Sequence, residues 1–303
     1  MVQKREFGDY SLFVLKTEGL EARVTDLGAT LQSLRFHGRE TVLNYDTPEG
    51  YLQGADYLGA SIGRYGNRIA KAQFPLNGRT VQLVANEGPN QLHGGPKSYD
   101  KRRWEAEILE KGVRFTLISP DGDGGFPGTL TAAVTYTVEG DTLRIDFEGE
   151  SDQDTVYAPT NHSYFDLAGD RDCLKARLWL GAEGVLELGE GLIPTGRVLP
   201  AEGAFDFSQE KPIGQEFDHC FTLKGEHACS LAAGGIHMDV FTDLPAVQIY
   251  TGRYVHAPYE PFAGVAIEPE FYPDSPNQPQ FPSTLLKAGE HFHRWAEYRF
   301  RED

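Results

Sequence analysis

Cysteine is scarce in this chain. Cys173, Cys220 and Cys229 are the only three in 303 residues, an odd number with no CxxC pair. A disulfide framework is therefore not what organises the fold, and a reducing, cytoplasmic setting is expected. Long apolar runs are missing as well. The segment Ser11-Leu12-Phe13-Val14-Leu15 is too short for a signal-peptide core and reads as a strand, and no run approaches the ~20 residues that cross a bilayer. Positive charge is in deficit: 28 Lys+Arg stand against 45 Asp+Glu, a net charge of −17. Such a surface repels phosphate backbones and anionic headgroups, so neither nucleic acid nor membrane is an expected partner, and a small neutral ligand fits better. Long amphipathic helices, internal repeats and low-complexity blocks are also absent, and no composition shift marks a linker.

What remains is a chain of short alternating segments. Leu143, Ile145 and Phe147 fall on one face of a predicted strand and Arg144 and Asp146 on the other. Val113–Ile118, Leu130–Val138, Arg177–Leu180, Ala246–Thr251 and Trp295–Phe300 read as further strands, and Val138–Thr142 as a hairpin turn. The 34 glycines and 18 prolines punctuate the sequence at strand-length intervals, as in a large all-β sandwich. With 18 Phe to fill a core, residues 1–303 are expected to form one all-β domain of antiparallel sheets with few short helices.

One stretch concentrates the chemistry. Val265-Ala266-Ile267 runs apolar into Glu268, and prolines at 273, 276, 279 and 282 end the strand soon after. A carboxylate carried on a buried strand is costly unless something pairs or uses it. Three other polar clusters could meet it. Gly59–Ala70 presents Asn67 and Arg68 from a Gly-rich turn without the GxGxxG phosphate pattern; alone, it reads as a charged surface loop. Asn86–Gly95 carries His93, followed by two glycines that permit close approach of backbone or ligand; alone, it reads as a turn. Pro159–Leu167 packs His162 among aromatics with Asn161 and Ser163 as hydrogen-bond partners, which suits either a satisfied core histidine or one titrating near neutrality.

Of three tempting patterns, two fail on inspection and one leaves a minor alternative. Asp121–Gly125 opens like a calcium loop but lacks the third ligand and the closing Glu. His291 and His293 share a strand face without an acidic or Cys cluster beside them. Glu268 and Glu270, also on one face, bring a glycosidase carboxylate pair to mind, which keeps glycoside hydrolysis as a minor alternative.

Asn67-Arg68-Ile69, Asn90-Gln91-Leu92-His93-Gly94-Gly95, Asn161-His162-Ser163-Tyr164-Phe165, Phe217-Asp218-His219, Gln248-Ile249-Tyr250-Thr251-Gly252 and Glu268 through Asp274, in this order, resemble the aldose 1-epimerase (galactose mutarotase) family. The resemblance implies a β-supersandwich of two large antiparallel sheets with a sugar cleft on its concave face. It implies Glu268 as general base and His162 as general acid. Arg68, His93, Asp218 and Gln248 would hold the sugar, with Asn67 and Tyr164 nearby, and no metal or cofactor is required. The expected partner is a small neutral monosaccharide, and the expected assembly a monomer or homodimer. This chain has Glu270 where members often carry Gln, Asp166 where Asn is frequent, and a short link from Gln248 to Glu268; these departures leave the preferred sugar open. Unperturbed pKa values of about 4.3 and 6.5 would leave Glu268 and His162 both partly in the forms that ring opening needs. A non-catalytic sugar-binding protein on the same scaffold is the alternative from another class.

Overall fold

The period-two burial of the strands sets the layers. In the strand Thr142–Ser151, Leu143, Ile145 and Phe147 are buried while Arg144 and Asp146 keep partial exposure, so one face turns inward and the other stays wet. A computed structural model describes residues 2–303 and resolves this pattern into three large antiparallel sheets. The first is a five-stranded meander from Gln3–Phe7 to Arg39–Glu40. The second has nine strands and runs from Glu105–Ile108 at one edge to Lys211–Pro212 at the other. Near its middle the C-terminal strand His291–Glu302 lies between Thr142–Ser151 and Ile236–Thr242, tying early and late segments into one sheet. The third has six strands in the order Tyr164–Phe165, Val265–Glu270, Ala246–Tyr250, Asp218–Leu223, Ala182–Leu188, Pro194–Pro200.

The inner face of the nine-stranded sheet packs on both other sheets. Phe115 meets Phe13 of the five-stranded sheet with ring centroids 5.7 Å apart, and Tyr298 meets Phe165 of the six-stranded sheet at 5.3 Å. Val247, Ile249, Val265 and Ile267 complete the same core. The expected two-layer sandwich is therefore present, with one layer divided between the five- and six-stranded sheets.

Strands expected from the sequence recur, most of them longer by a residue or more at their ends. Trp295–Phe300 lies inside the longer His291–Glu302, and Arg177–Leu180 matches at both ends. Among the described residues the α-helix is confined to Pro48–Gln53, and no helix is long and apolar enough to cross a membrane. Cys173, Cys220 and Cys229 are buried and unbonded.

Four two-stranded ribbons stand outside the large sheets, and two of them matter for function. Ser61–Ile62 pairs with Thr160–Asn161, and Arg68–Ile69 pairs with Gln91–Leu92. Between them lies Arg64, fully buried, whose guanidinium donates to the carbonyls of Ser119, Pro120, Pro127 and Gly128 and to the hydroxyls of Ser119 and Thr155. The Asp121–Gly128 turn is thus the wall of a cage for this cation, and the cage fixes the loop that carries Asn67 and Arg68. Gly94 is fixed by backbone contact: its φ is +83°, and a Cβ there would sit 2.0 Å from the Gly63 carbonyl oxygen.

Candidate active site

Strand register builds the floor of a cleft. Val265–Glu270 is buried on both faces; Val265 and Ile267 point into the main core, so Ala266, Glu268 and Glu270 point the other way. Gln248 lies directly across from Glu268 on one neighbouring strand, and Tyr164 lies across from Ala266 on the other. One strand further, Cys220 is opposite Gln248 and Asp218 opposite Tyr250. Gln248 Nε2 donates to Asp218 Oδ1 at 2.5 Å, locking the two polar groups together. Pro269 fits within this strand because, past Ala266, its Tyr164–Phe165 side is no longer paired.

The ribbons deliver the walls. Thr160–Asn161 places His162 so that its Nε2 faces Glu268 Oε1 at 3.5 Å, both side chains almost wholly buried. The paired Arg68–Ile69 and Gln91–Leu92 segments bring Asn67, Arg68 and His93 alongside. These elements enclose a cavity of about 380 Å³ lined by Asn67, Arg68, His93, His162, Tyr164, Asp218, Gln248 and Glu268. The eight residues to which the resemblance gives a part in the site therefore line one cleft.

The walls also contain residues that the sequence did not single out. Glu87 accepts a bidentate pair of hydrogen bonds from Arg68, whose Nη1 lies 3.9 Å from Asp218. Burial disfavours charge on Arg68, but Glu87 and Asp218 more than offset this and keep the guanidinium firmly protonated. The Tyr57 ring lies against both histidines, 4.8 Å from His93 and 5.8 Å from His162. Asp56 joins the loop after Tyr250 to the cleft by accepting from the His256 backbone N–H and pairing with its ring at 2.7 Å. Glu87 stood inside the Asn86–Gly95 cluster as an unassigned polar residue; Asp56 and Tyr57 lie in a loop with no periodic signal.

Asn67 also has partners within the protein. It lines the cleft, but its Nδ2 donates to Glu270 Oε1 and its Oδ1 accepts from the Arg68 backbone N–H. Its own N–H donates to His93 Nδ1 at 3.1 Å, so Nδ1 is an acceptor and the neutral His93 ring carries its proton on Nε2. Burial, followed by His162 and Arg68, pushes the His93 pKa well down and keeps that form.

Two expectations for His162 are corrected. Asn161 and Ser163 bond to each other, and Asn161 to Gly59 and Tyr136; neither reaches the His162 ring, because alternation in an extended segment turns positions 161 and 163 away from 162. The ring instead sits among Tyr57, Tyr164 and His93, with Nδ1 unpartnered. Nor does it titrate near neutrality: burial lowers its pKa to about 4. Glu268 moves the opposite way, well above the usual carboxylate range, through burial first and then the neighbouring Glu270 and Asp218. The site thus favours uncharged forms of both partners. Desolvation is the largest cause of both shifts and disfavours the charged form of each group.

A buried carboxyl and imidazole facing each other across a small polar cleft, on an antiparallel supersandwich, are the groups that acid–base chemistry on a small polar ligand uses. Comparison with known proteins specifies the class. The family model described as aldose 1-epimerase matches residues 11–299. The human galactose mutarotase is 37% identical over 323 residues, spanning 97% of this chain and 94% of that protein. The aldose 1-epimerase of Escherichia coli strain K12 is 37% identical over 329 residues, spanning 96% and 95%. Among solved structures, the GalM/aldose epimerase homologue from C. elegans superposes with a TM-score of 0.92 at 26% identity, covering 100% of this chain and 99% of that one. The chain belongs to the aldose 1-epimerase family and is an isomerase.

Proposed function

We propose that this protein interconverts the α- and β-anomers of a free aldose by opening and reclosing its ring, with Glu268 as base and His162 as acid. The observation that carries this reading is the 3.5 Å approach of His162 Nε2 to Glu268 Oε1 on the wall and floor of one cleft. Ring opening removes the O1 proton and supplies one to the ring oxygen; after rotation about C1–C2, closure reverses both transfers. The working pair therefore carries a single proton. Carboxyl plus imidazole, the form that burial favours, and carboxylate plus imidazolium are proton tautomers of that same state. A bound sugar offers O1–H to the carboxylate and its ring oxygen to the imidazolium, drawing the proton across without exchange with solvent. Gln248 and Asp218 on the floor, with Arg68 and the Nε2–H of His93 on the wall, are the groups we assign to the sugar hydroxyls.

The inferred substrate is a neutral monosaccharide. A phosphosugar would need free cationic groups, yet Arg68 is already held by Glu87, and no other Lys or Arg is among the residues lining the cleft. The same acidic balance disfavours nucleic acid and anionic membrane as partners. We place the protein, as a single functional unit over residues 1–303, in the cytoplasm as a monomer or homodimer.

A methyl glycoside separates this reading from glycoside hydrolysis and from passive binding. It occupies the cleft but has no O1 proton to remove, so it inhibits interconversion of the free sugar competitively and is recovered intact. Release of reducing sugar would identify a hydrolase, and binding of free sugar without faster anomer exchange would identify a passive binder.

Two further outcomes follow. A pair working with one shared proton gives a bell-shaped kcat/KM profile. Its acid limb lies near pH 4, where His162 takes up the second proton, and its alkaline limb follows Glu268 well above the usual carboxylate range. An acid limb at the ordinary imidazole value of about 6.5 would contradict the assignment. Glu87→Gln weakens the bidentate hold on Arg68, and steady-state polarimetry is expected to show KM raised roughly 3- to 10-fold with kcat little changed, a loss of pre-organisation. An unchanged KM would remove Glu87 from this role.

A further inference from the structure

Glu270 is the second carboxyl on the cleft-facing side of the strand that carries Glu268. The two side chains are 1% and 2% exposed, and each leaves its Oε2 without a partner. We propose that Glu270 is a positioning residue, anchoring Asn67 and sharing with Glu268 one negative charge between the two buried carboxyls. This deepens the reading of Glu268 as the base and rests on it.

The anchoring follows from the hydrogen bonds. Glu270 Oε1 accepts from Asn67 Nδ2 at 3.1 Å, and Asn67 has a φ of 61°, the left-handed region that asparagine enters more readily than most residues. Its N–H in turn bonds His93 Nδ1. Glu270 therefore fixes which nitrogen of His93 presents a proton to the cleft, without itself touching the sugar.

The shared charge follows from what surrounds the pair. Arg68 is the cation that favours ionisation of both carboxyls, but its guanidinium is already bound by Glu87 and lies close to Asp218. Asp218, on the strand Asp218–Leu223, adds negative charge against both. Cys220 on the same strand and Tyr65 on the loop before Asn67 stay uncharged beside Glu270, burial holding their protons on. Tyr164 and, from the nine-stranded sheet, Tyr298 do the same near Glu268. Burial keeps His162 uncharged. With no further countercharge, ionising both carboxyls is disfavoured and one proton stays between them. Glu270 thereby delays ionisation of Glu268 to higher pH and sets the alkaline limb of the reaction.

Glu270→Gln and Glu270→Ala separate the two parts of the proposal. Gln retains an acceptor for Asn67 but carries no charge. Its plateau kcat/KM should stay within about threefold of the parent, since geometry is kept, while the alkaline limb moves down by roughly one pH unit. Ala loses the acceptor too, and kcat/KM should fall about 10- to 100-fold through misplacement of Asn67 and His93. A readout independent of turnover is the carbon-13 titration of the Glu268 side-chain carboxyl in glutamate-labelled protein. Its midpoint should be lower in Glu270→Gln than in the parent even if the protein turns over no sugar. Superimposable pH profiles or unmoved carboxyl titrations in the Gln variant would overturn charge sharing. Equal plateaus for the folded Ala and Gln variants, verified by circular dichroism, would overturn the anchoring of Asn67.

Discussion

Glu268→Gln is expected to lower kcat for anomer interconversion by about 10⁴-fold, the upper end for a positioned general base, while raising thermal stability at neutral pH. Gln has nearly the shape of Glu and can keep its place facing His162 Nε2, but it cannot take the O1 proton. The gain in stability follows from the sign of the pKa shift. A carboxyl whose pKa is raised on folding binds its proton more tightly in the native state, so stability is lost as pH rises from the unfolded value of about 4.3 through the folded one. Gln does not titrate and escapes that loss. The melting temperature of the variant should exceed the parent's at pH 7, with the gap closing below pH 4. An inactive variant that was also destabilised at pH 7 would mean that Glu268 is structural, and full activity would remove it from the chemistry.

His162→Asn is the second large effect. Asn cannot deliver a proton to the ring oxygen, and kcat should fall about 10²- to 10⁴-fold. Binding should survive, because the sugar hydroxyls are assigned to Arg68, His93, Asp218 and Gln248. Isothermal titration with the preferred aldose should return a Kd within a fewfold of the parent's. Normal turnover would exclude His162 as the acid; loss of binding with loss of rate would make it a binding residue instead. The double variant should be little worse than the poorer single one, as for groups that act as a unit.

Much of the scaffold was legible because strands with one buried face carry their own period. Leu143, Ile145 and Phe147 announce both the strand and its inward side. Glu268 was legible for a related reason, since a carboxylate following Val265–Ile267 on a buried strand needs a use. The two-residue ribbons were not legible as strands. Ser61–Ile62 and Arg68–Ile69 are too short to show any period, yet they decide which loops meet. Glu87, Asp56 and Tyr57 come from such loops and carried no signal beyond composition.

The protonation of His162 was misjudged for a different reason. Sequence places a histidine among aromatics near a carboxylate, and burial and that neighbour push its pKa in opposite directions. Which wins depends on whether Glu268 keeps its charge, and that depends first on its burial, then on Glu270 two residues along the same strand and on Asp218, brought close by strand register. Asn67 is expected near the sugar; only the fold reveals that its amide also bonds Glu270 and the backbone of Arg68.

The central claim is that this cleft opens and closes the ring of a free aldose. Polarimetry of freshly dissolved α-anomers of galactose, glucose, xylose and arabinose tests it most directly. The relaxation of optical rotation should accelerate in proportion to enzyme concentration for at least one of these sugars, and should return to the buffer rate when Glu268→Gln replaces the parent. Relaxation at the buffer rate for all four sugars with the folded parent enzyme would contradict the account.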